Sequence, residues 1–297
     1  MDRSLIKFIS FNVCWSRRAK GKHEAYAIEE RFDLLAEFIR SEDADVVFLQ
    51  EVPICMVTQF QKLLPSHEWF FAWHNSRSGA CCLATAVRRD RNVESAVQKK
   101  WPVPIPNEPD SNCLLVLEIP GREGALLVNG HLPTSEVARF AALDSIAERL
   151  TSETRPDTRV IMWGNMNTFA DARGEEWIAS MEERGSLEHV RVEGDSSFVP
   201  YPYDVFDAPE RSIPLDNGFV RNVFVESAQL VSDGFTFEAD GKEWWCSDHF
   251  ATRAVLRLAP SAPAARVSAP AAVVYPQHVY VPYSQRVYAK MAAHFSS

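Results

Sequence analysis

Eight polar residues stand where apolar runs give out, and together their types could do chemistry. Asn12 closes "LIKFISFN", Glu51 closes "DVVFLQE" and His131 closes "LLVNGH". Asn165 and Asn167 follow "VIMWG", Asp216 stands in "PLDNGFV", and Asp248 with His249 precedes "FATRAVLRLA". Strand ends that release polar groups into loops are common places for binding and catalysis. Carboxylates and amides suit a hard divalent cation such as Mg²⁺, which takes oxygen ligands and keeps waters for substrate. Imidazoles beside them can donate to a phosphoryl oxygen or protonate a leaving group. Singly, each residue has a plainer account. Asp216 and Asn217 are turn formers, a glutamate after a strand is commonly a solvated turn, and Ser-Asp-His at 247–249 is a short motif. The ordered set, spread over the ends of several different strands, carries the reading. Two neutral amides at 165 and 167 are odd equipment for such a site.

The elements that would position these residues are legible from periodicity. Residues 5–13 mix β-branched and aromatic types and read as a strand. Over 27–41, Ile28, Phe32, Leu35 and Phe38 or Ile39 recur at helical spacing, which lays a helix on a core. Residues 45–50 form a continuous apolar run, typical of a strand buried on both faces. A helix is predicted over 56–64, and strands over "EWFFAW", "ACCLATAV", "CLLVLEI" and "ALLVNGHL". Helical period returns at 135–150, with Thr134 or Ser135 placed to cap its start. A strand at 158–164, a short helix at 174–185, one strand through "GFVRNVFVES" and a last one at 250–259 complete the order. No internal repeat of fixed period is present.

Composition narrows the class. The chain has 297 residues, 46% of them hydrophobic, enough for a sizeable core. With 40 acidic against 31 basic residues the net charge is −9, which argues against a surface coated with basic residues for nucleic acid and leaves a local basic groove open. The first residues, "MDRSLIKFISFNV", lack a secretory pattern, and no apolar run approaches the roughly 18 residues of a membrane span. None of the six cysteines forms a C-x-x-C pair, so they read as reduced core thiols of a cytoplasmic or nuclear, non-secreted protein. Residues 260–297 change character: an Ala/Pro-rich spacer precedes "HVYVPYSQRVYAKMAAHF", which has tyrosines, Arg286 and Lys290 but no acidic residue. The expected division is a domain over 1–259 and a tail over 260–297. The tail is either a disordered end or a docking strip for a protein partner or nucleic acid.

In order and spacing, Asn12, "LQE" at 49–51, "HL" at 131–132, "GNMN" at 164–167, "LD" at 215–216 and "SDH" at 247–249 resemble the endonuclease/exonuclease/phosphatase superfamily, which includes deoxyribonuclease I and the apurinic endonucleases. The likeness spans about residues 5–258. It implies an α/β (α+β) four-layer α/β/β/α sandwich, two mixed sheets face to face with helices outside. It also implies a phosphodiesterase dependent on Mg²⁺, or on Mn²⁺. Glu51 would be the principal metal ligand, with Asn12 and Asp248 near the ion. His249, oriented by Asp216, would stabilise the phosphoryl transition state. His131, Asn167 and Asn12 would contact phosphate oxygens, with His131 able to assist the leaving group.

The family carries an aspartate where this chain has Asn165, and by resemblance that aspartate activates the attacking water. An amide neither accepts a proton as a carboxylate does nor adds negative charge beside a cation. Asn165 is therefore expected to leave the chain inactive or strongly impaired. Two origins fit: a substitution made to trap substrate, or a natural pseudoenzyme that binds or scaffolds. For substrate, "GHLPTSEVARFAALDSI" looks more like the tyrosyl-DNA phosphodiesterase and deadenylase branches than the apurinic endonucleases. That favours nucleic acid, RNA slightly ahead of DNA because the acidic balance disfavours grip on long duplex. Lipid or inositol phosphates are the alternative substrates.

Overall fold

The structure is a computed structural model. It describes residues 4–14, 29–73, 81–91, 93–101, 103, 113–121, 124–168, 172–193, 215–231, 236–239 and 242–260. The first half runs β1 (Leu5–Asn12), α1 (Glu29–Ser41), β2 (Val46–Pro53), α2 (Val57–Leu63), β3 (His67–Trp73), β4 (Cys81–Arg88), β5 (Val97–Lys99) and β6 (Leu114–Glu118). Then come β7 (Leu126–His131), α3 (Glu136–Glu153), β8 (Val160–Asn165), α4 (Ala172–Gly185), β9 (Glu188–Val190) and β10 (Asp216–Arg221). The last elements are β11 (Val223–Val231), β12 (Thr236–Ala239), β13 (Lys242–Trp245) and β14 (Ala251–Leu258).

Two six-stranded sheets result, ordered β11-β14-β1-β2-β4-β3 and β5-β6-β7-β8-β10-β9. Both are mixed. In the first, β1 and β2 are parallel; in the second, β7 and β8 are; every other neighbouring pair is antiparallel. Three apolar clusters explain the stacking. Phe8, Phe48 and Leu83 of the first sheet meet Leu115, Leu127, Ile161 and Trp163 of the second between the sheets. Leu35, Ile39 and Phe60 of α1 and α2 cover the outer side of the first sheet, against Ile9, Val47 and Leu49. Ala142, Ile146 and Leu150 of α3, with Trp177 and Met181 of α4, cover Val128, Val160 and Met162 of the second. Alternate strand residues thus face opposite layers, as the period of two requires. The four-layer sandwich expected from the resemblance is the observed architecture. Trp163 is fully buried at its centre, and Gly218 leaves it room: a Cβ there would stand 2.5 Å from the indole.

Several expectations need correction. "GFVRNVFVES" is two strands in different sheets, because Asn222 adopts φ 53° and turns the chain out of the sheet of β10 into the sheet of β11. Asparagine tolerates that conformation without glycine or proline to announce it, and Asn222 Nδ2 donates to Pro156 O at 2.7 Å. The hairpin of β12 and β13 was not anticipated, although Asp240-Gly241 lies between its strands and such dipeptides favour tight hairpins. Short β5 and β9 were also missed. Ser135 occupies the N-cap position of α3 but its side chain makes no capping hydrogen bond. Cys14, Cys81, Cys82, Cys113 and Cys246 are free and buried, as core thiols should be, and of these Cys81 and Cys82 lie within a strand. No helix among the described residues is long and apolar enough to cross a membrane. Residues 27–28 and the tail from 261 onward lie outside the described residues.

Candidate active site

The site residues gather because both sheets end their parallel pairs at the same edge. In the first sheet Asn12 is in register with Gln50, one residue before Glu51. In the second, Asn165 is in register with His131 on one side and with Asp216 on the other. Asn165 therefore stands in the middle of a row whose flanks are an imidazole and a carboxylate. Gly164 lets β8 reach that position: its φ is +146°, and a Cβ would lie 2.0 Å from the Gly130 carbonyl oxygen.

Past the strand ends, three short turns repeat one device. Asn12 Oδ1 accepts the Cys14 N–H at 3.0 Å, Asn165 Oδ1 accepts the Asn167 N–H at 2.9 Å, and Ser247 Oγ accepts the His249 N–H at 3.2 Å. Side-chain oxygens that take the amide two residues on stabilise such turns. Cys14, Glu51 and Asn167 all have φ between 51 and 54°. Ser247 Oγ also donates to Asn12 O at 2.6 Å, tying the last loop to the end of β1.

The loop before β14 brings His249 over the row. His249 Nδ1 lies 2.7 Å from Asp216 Oδ2, and its Nε2 lies 3.4 Å from Asn165 Nδ2. Burial works against the imidazolium, but Asp216, by charge and hydrogen bond, with Asp248 and Glu51 outweighs it, and the pKa of His249 rises to about 9. His131 behaves oppositely: burial, then the charge of His249, lowers it to about 4, so it is neutral near pH 7. Two imidazoles in one site are thus driven into different protonation states, the arrangement that separates acid and base roles. His131 Nε2 stands 3.6 Å from Glu51 Oε1. Asn167 is buried near them, yet its Nδ2 donates to Leu132 O at 2.6 Å, so one of its amide hydrogens is already engaged.

Solved structures share this arrangement of strands. An endonuclease/exonuclease/phosphatase from Bacteroides vulgatus has a TM-score of 0.64 at 19% identity, covering 86% of this chain and 99% of its own. D. rerio TDP2 complexed with single strand DNA product has a TM-score of 0.62 at 18% identity, with 86% and 99% covered. A mannosyl-6-phosphatase from Bacteroides thetaiotaomicron has a TM-score of 0.64 at 16% identity, with 84% and 99% covered. The chain has the endonuclease/exonuclease/phosphatase fold. No protein-family model matches its sequence, and no curated protein matches it.

Within this fold, the first sheet's end of the site has the donor chemistry of a hard-cation site. Asn12 Nδ2 donates to Glu51 Oε1 at 3.2 Å. Asp248 is half-buried, and burial first, then the charge of Glu51, pushes its carboxyl above the usual range despite His249. Two carboxylates that repel one another in a partly desolvated place are suited to a cation between them. Among the described residues no group of three or more His, Cys, Asp and Glu side chains is placed to hold a metal by itself. A cation there would lean on water and substrate oxygens, as Mg²⁺ commonly does.

The endonuclease/exonuclease/phosphatase fold also brings in residues to which the sequence reading gave no role. Arg31, in the first turn of α1, is fully buried and donates to Val13 O, Cys246 O and Cys14 O at 2.9, 2.8 and 3.0 Å. A cation near a helix N-terminus is unfavourable, so these carbonyls are what hold it there. They join the loop after β1 to the loop carrying Asp248 and His249. The Cys14 thiol is pushed well up by burial, Asp248 and Glu51. Gln50 and Asn129, both fully buried, join the two sheets beneath Glu51. Arg31 left a sequence signal, a charge in the first turn of an apolar-faced helix, and Gln50 stood within "LQE" with no role of its own assigned.

Proposed function

We propose that this chain is a divalent-cation-dependent phosphodiesterase by design of its site, acting on nucleic acid in single-stranded form, and that Asn165 leaves it able to bind but poorly able to cleave. The observation that carries the reading is the line Asp216–His249–Asn165, with contacts of 2.7 and 3.4 Å, facing Glu51 and Asn12 across the sheet edge. Asp216 holds His249 by Nδ1, so that Nε2 points at the place where a phosphoryl group would lie. Neutral His131 is able to donate to a second phosphate oxygen, and Asn167 keeps one amide hydrogen for a third. Glu51 and Asp248, beside Asn12, would hold a Mg²⁺ or Mn²⁺, which when bound polarises a phosphoryl oxygen.

What the line lacks is a base. Asn165 spends Oδ1 on the Asn167 N–H and turns its amide nitrogen to His249, so neither atom can take a proton from water. Nucleic acid is favoured over sugar, lipid or inositol phosphates by the likeness to the structure holding a single-strand DNA product. The same polar set would also suit a small phosphomonoester, the class that the mannosyl-6-phosphatase's name indicates. Binding of labelled single-stranded RNA and DNA oligonucleotides, with Mg²⁺ and with chelator, separates these. Tight, Mg²⁺-dependent oligonucleotide binding that a hexose phosphate does not displace is the expected result. Displacement by the hexose phosphate, or no oligonucleotide binding at all, would refute the nucleic-acid assignment.

A further inference from the structure

Glu51 sits in an interruption of its own sheet. Between β2 and β4 the register slips between Leu49 and Val52, and Glu51 takes φ 54°. A bulge re-aims a side chain at the cost of ladder hydrogen bonds, and a non-glycine residue in the left-handed region is held there only by its surroundings. The brace comes from the opposite sheet. Asn129 on β7 is fully buried and shares the inter-sheet face of its strand with Leu127, two residues before His131. Its Nδ2 donates to Leu49 O at 3.1 Å and to Ala84 O at 2.9 Å, with Thr85 Oγ1 at 3.3 Å. Leu49 and Ala84 are the last register pair before the slip. Asn129 Oδ1 in turn accepts from Gln50 Nε2 at 2.8 Å, and that nitrogen also lies 3.3 Å from Ser10 Oγ.

The orientation of both amides follows from their partners. Backbone carbonyls can only accept, so the NH₂ of Asn129 must face them and its oxygen must face Gln50. Gln50 must then present its own NH₂, which leaves Gln50 Oε1 buried without a hydrogen-bond partner among the described residues. A buried polar network that leaves one acceptor unsatisfied costs free energy, and its members stand on both sides of the bulge.

We infer that Asn129 is a positioning residue for Glu51: from the sheet that bears His131 and Asn165 it braces the bulge that aims Glu51 at Asn12, so the two halves of the site keep one geometry. This rests on the reading of Glu51 as a cation ligand. Partners that orient a metal ligand are typically worth ~10–100-fold in affinity. The test uses Mn²⁺ alone as probe. Calorimetry on the full chain, Asn129→Ala, Glu51→Gln and the double variant is combined with thermal melting and amide hydrogen exchange over residues 49–52. Asn129→Ala is expected to weaken Mn²⁺ binding about tenfold in the folded protein and to speed exchange at 50–52. Added to Glu51→Gln, it should cost no further Mn²⁺ affinity while still lowering Tm. A lower Tm with unchanged Mn²⁺ affinity would make Asn129 a packing residue only and overturn the inference. Should Asn129→Ala not fold, Asn129→Ser retains a donor and takes its place; failure of both assigns Asn129 to the whole fold and also overturns it. If Glu51→Gln itself leaves Mn²⁺ binding intact, the cation reading fails and takes the inference with it.

Discussion

Replacing Asn165 by aspartate changes one terminal group whose contacts among the described residues are the Asn167 N–H and His249 Nε2. Oδ1 would go on accepting the Asn167 N–H at 2.9 Å, so the turn after β8 is preserved. The second oxygen would replace the nitrogen that now lies 3.4 Å from His249 Nε2. His249, raised to about 9, is an imidazolium at pH 7.5 and would then have an acceptor at Nε2 where it now has a donor. A carboxylate restored there can take a proton from an attacking water. General-base assistance is worth ~10²–10⁴-fold, or about 3–6 kcal/mol of barrier at about 1.4 kcal/mol per decade. Folding should change little. A charge-assisted hydrogen bond worth about 1.5–3 kcal/mol offsets the burial of the new carboxylate near Asp216, and Tm should stay within about 5 °C. The assay is single-turnover cleavage of a labelled single-stranded oligonucleotide in Mg²⁺ by the parent and Asn165→Asp. Equal rates for the two forms would refute the role given to position 165. So would a folded Asn165→Asp that cleaves no phosphoester in the panel.

Other consequences follow from the packing. Gly164→Ala should destabilise by about 3 kcal/mol or more, because its Cβ would stand 2.0 Å from Gly130 O at a φ of +146°; an unaltered denaturant midpoint would contradict it. His67 is buried with Nε2 2.9 Å from Ala44 O, and burial holds its pKa below the ordinary value. The unfolded chain therefore protonates first, near pH 6.5, and stability present above that pH is lost as pH falls. His67→Gln should lose less stability between pH 7 and 5 than the parent, and an identical pH dependence of ΔG would count against this. Truncation after Pro260 keeps β14 and Ala259, whose carbonyl accepts from Arg159 Nε at 2.9 Å. Tm should be unchanged while binding to a partner or oligonucleotide weakens; a much lower Tm would mean that the removed residues pack on the domain.

Much of this protein was legible in one dimension. Periodicity located β1, β2, α3 and β14 and the polar residues at their ends, since a strand's exit from a core shows as apolar residues giving way to polar ones. The order of those residues was enough to name the four-layer fold, and the odd amide at 165 was visible without coordinates. What periodicity reports is which face of an element is apolar, not what that face meets. So "GFVRNVFVES" read as one strand, although Asn222 passes it between two sheets with a backbone rotation that asparagine makes silently. The partners of His249, 33 residues away at Asp216 and 84 away at Asn165, exist only because β8, β10 and the last loop end at one edge. The same holds for Arg31 on carbonyls of two distant loops, and for Asn129 reaching across the sandwich to the bulge beneath Glu51. Above all, the opposite protonation of His131 and His249 was decided by tertiary structure. Their sequences carry the same imidazole, but burial and the sign of the nearest charge push one pKa to about 4 and the other to about 9.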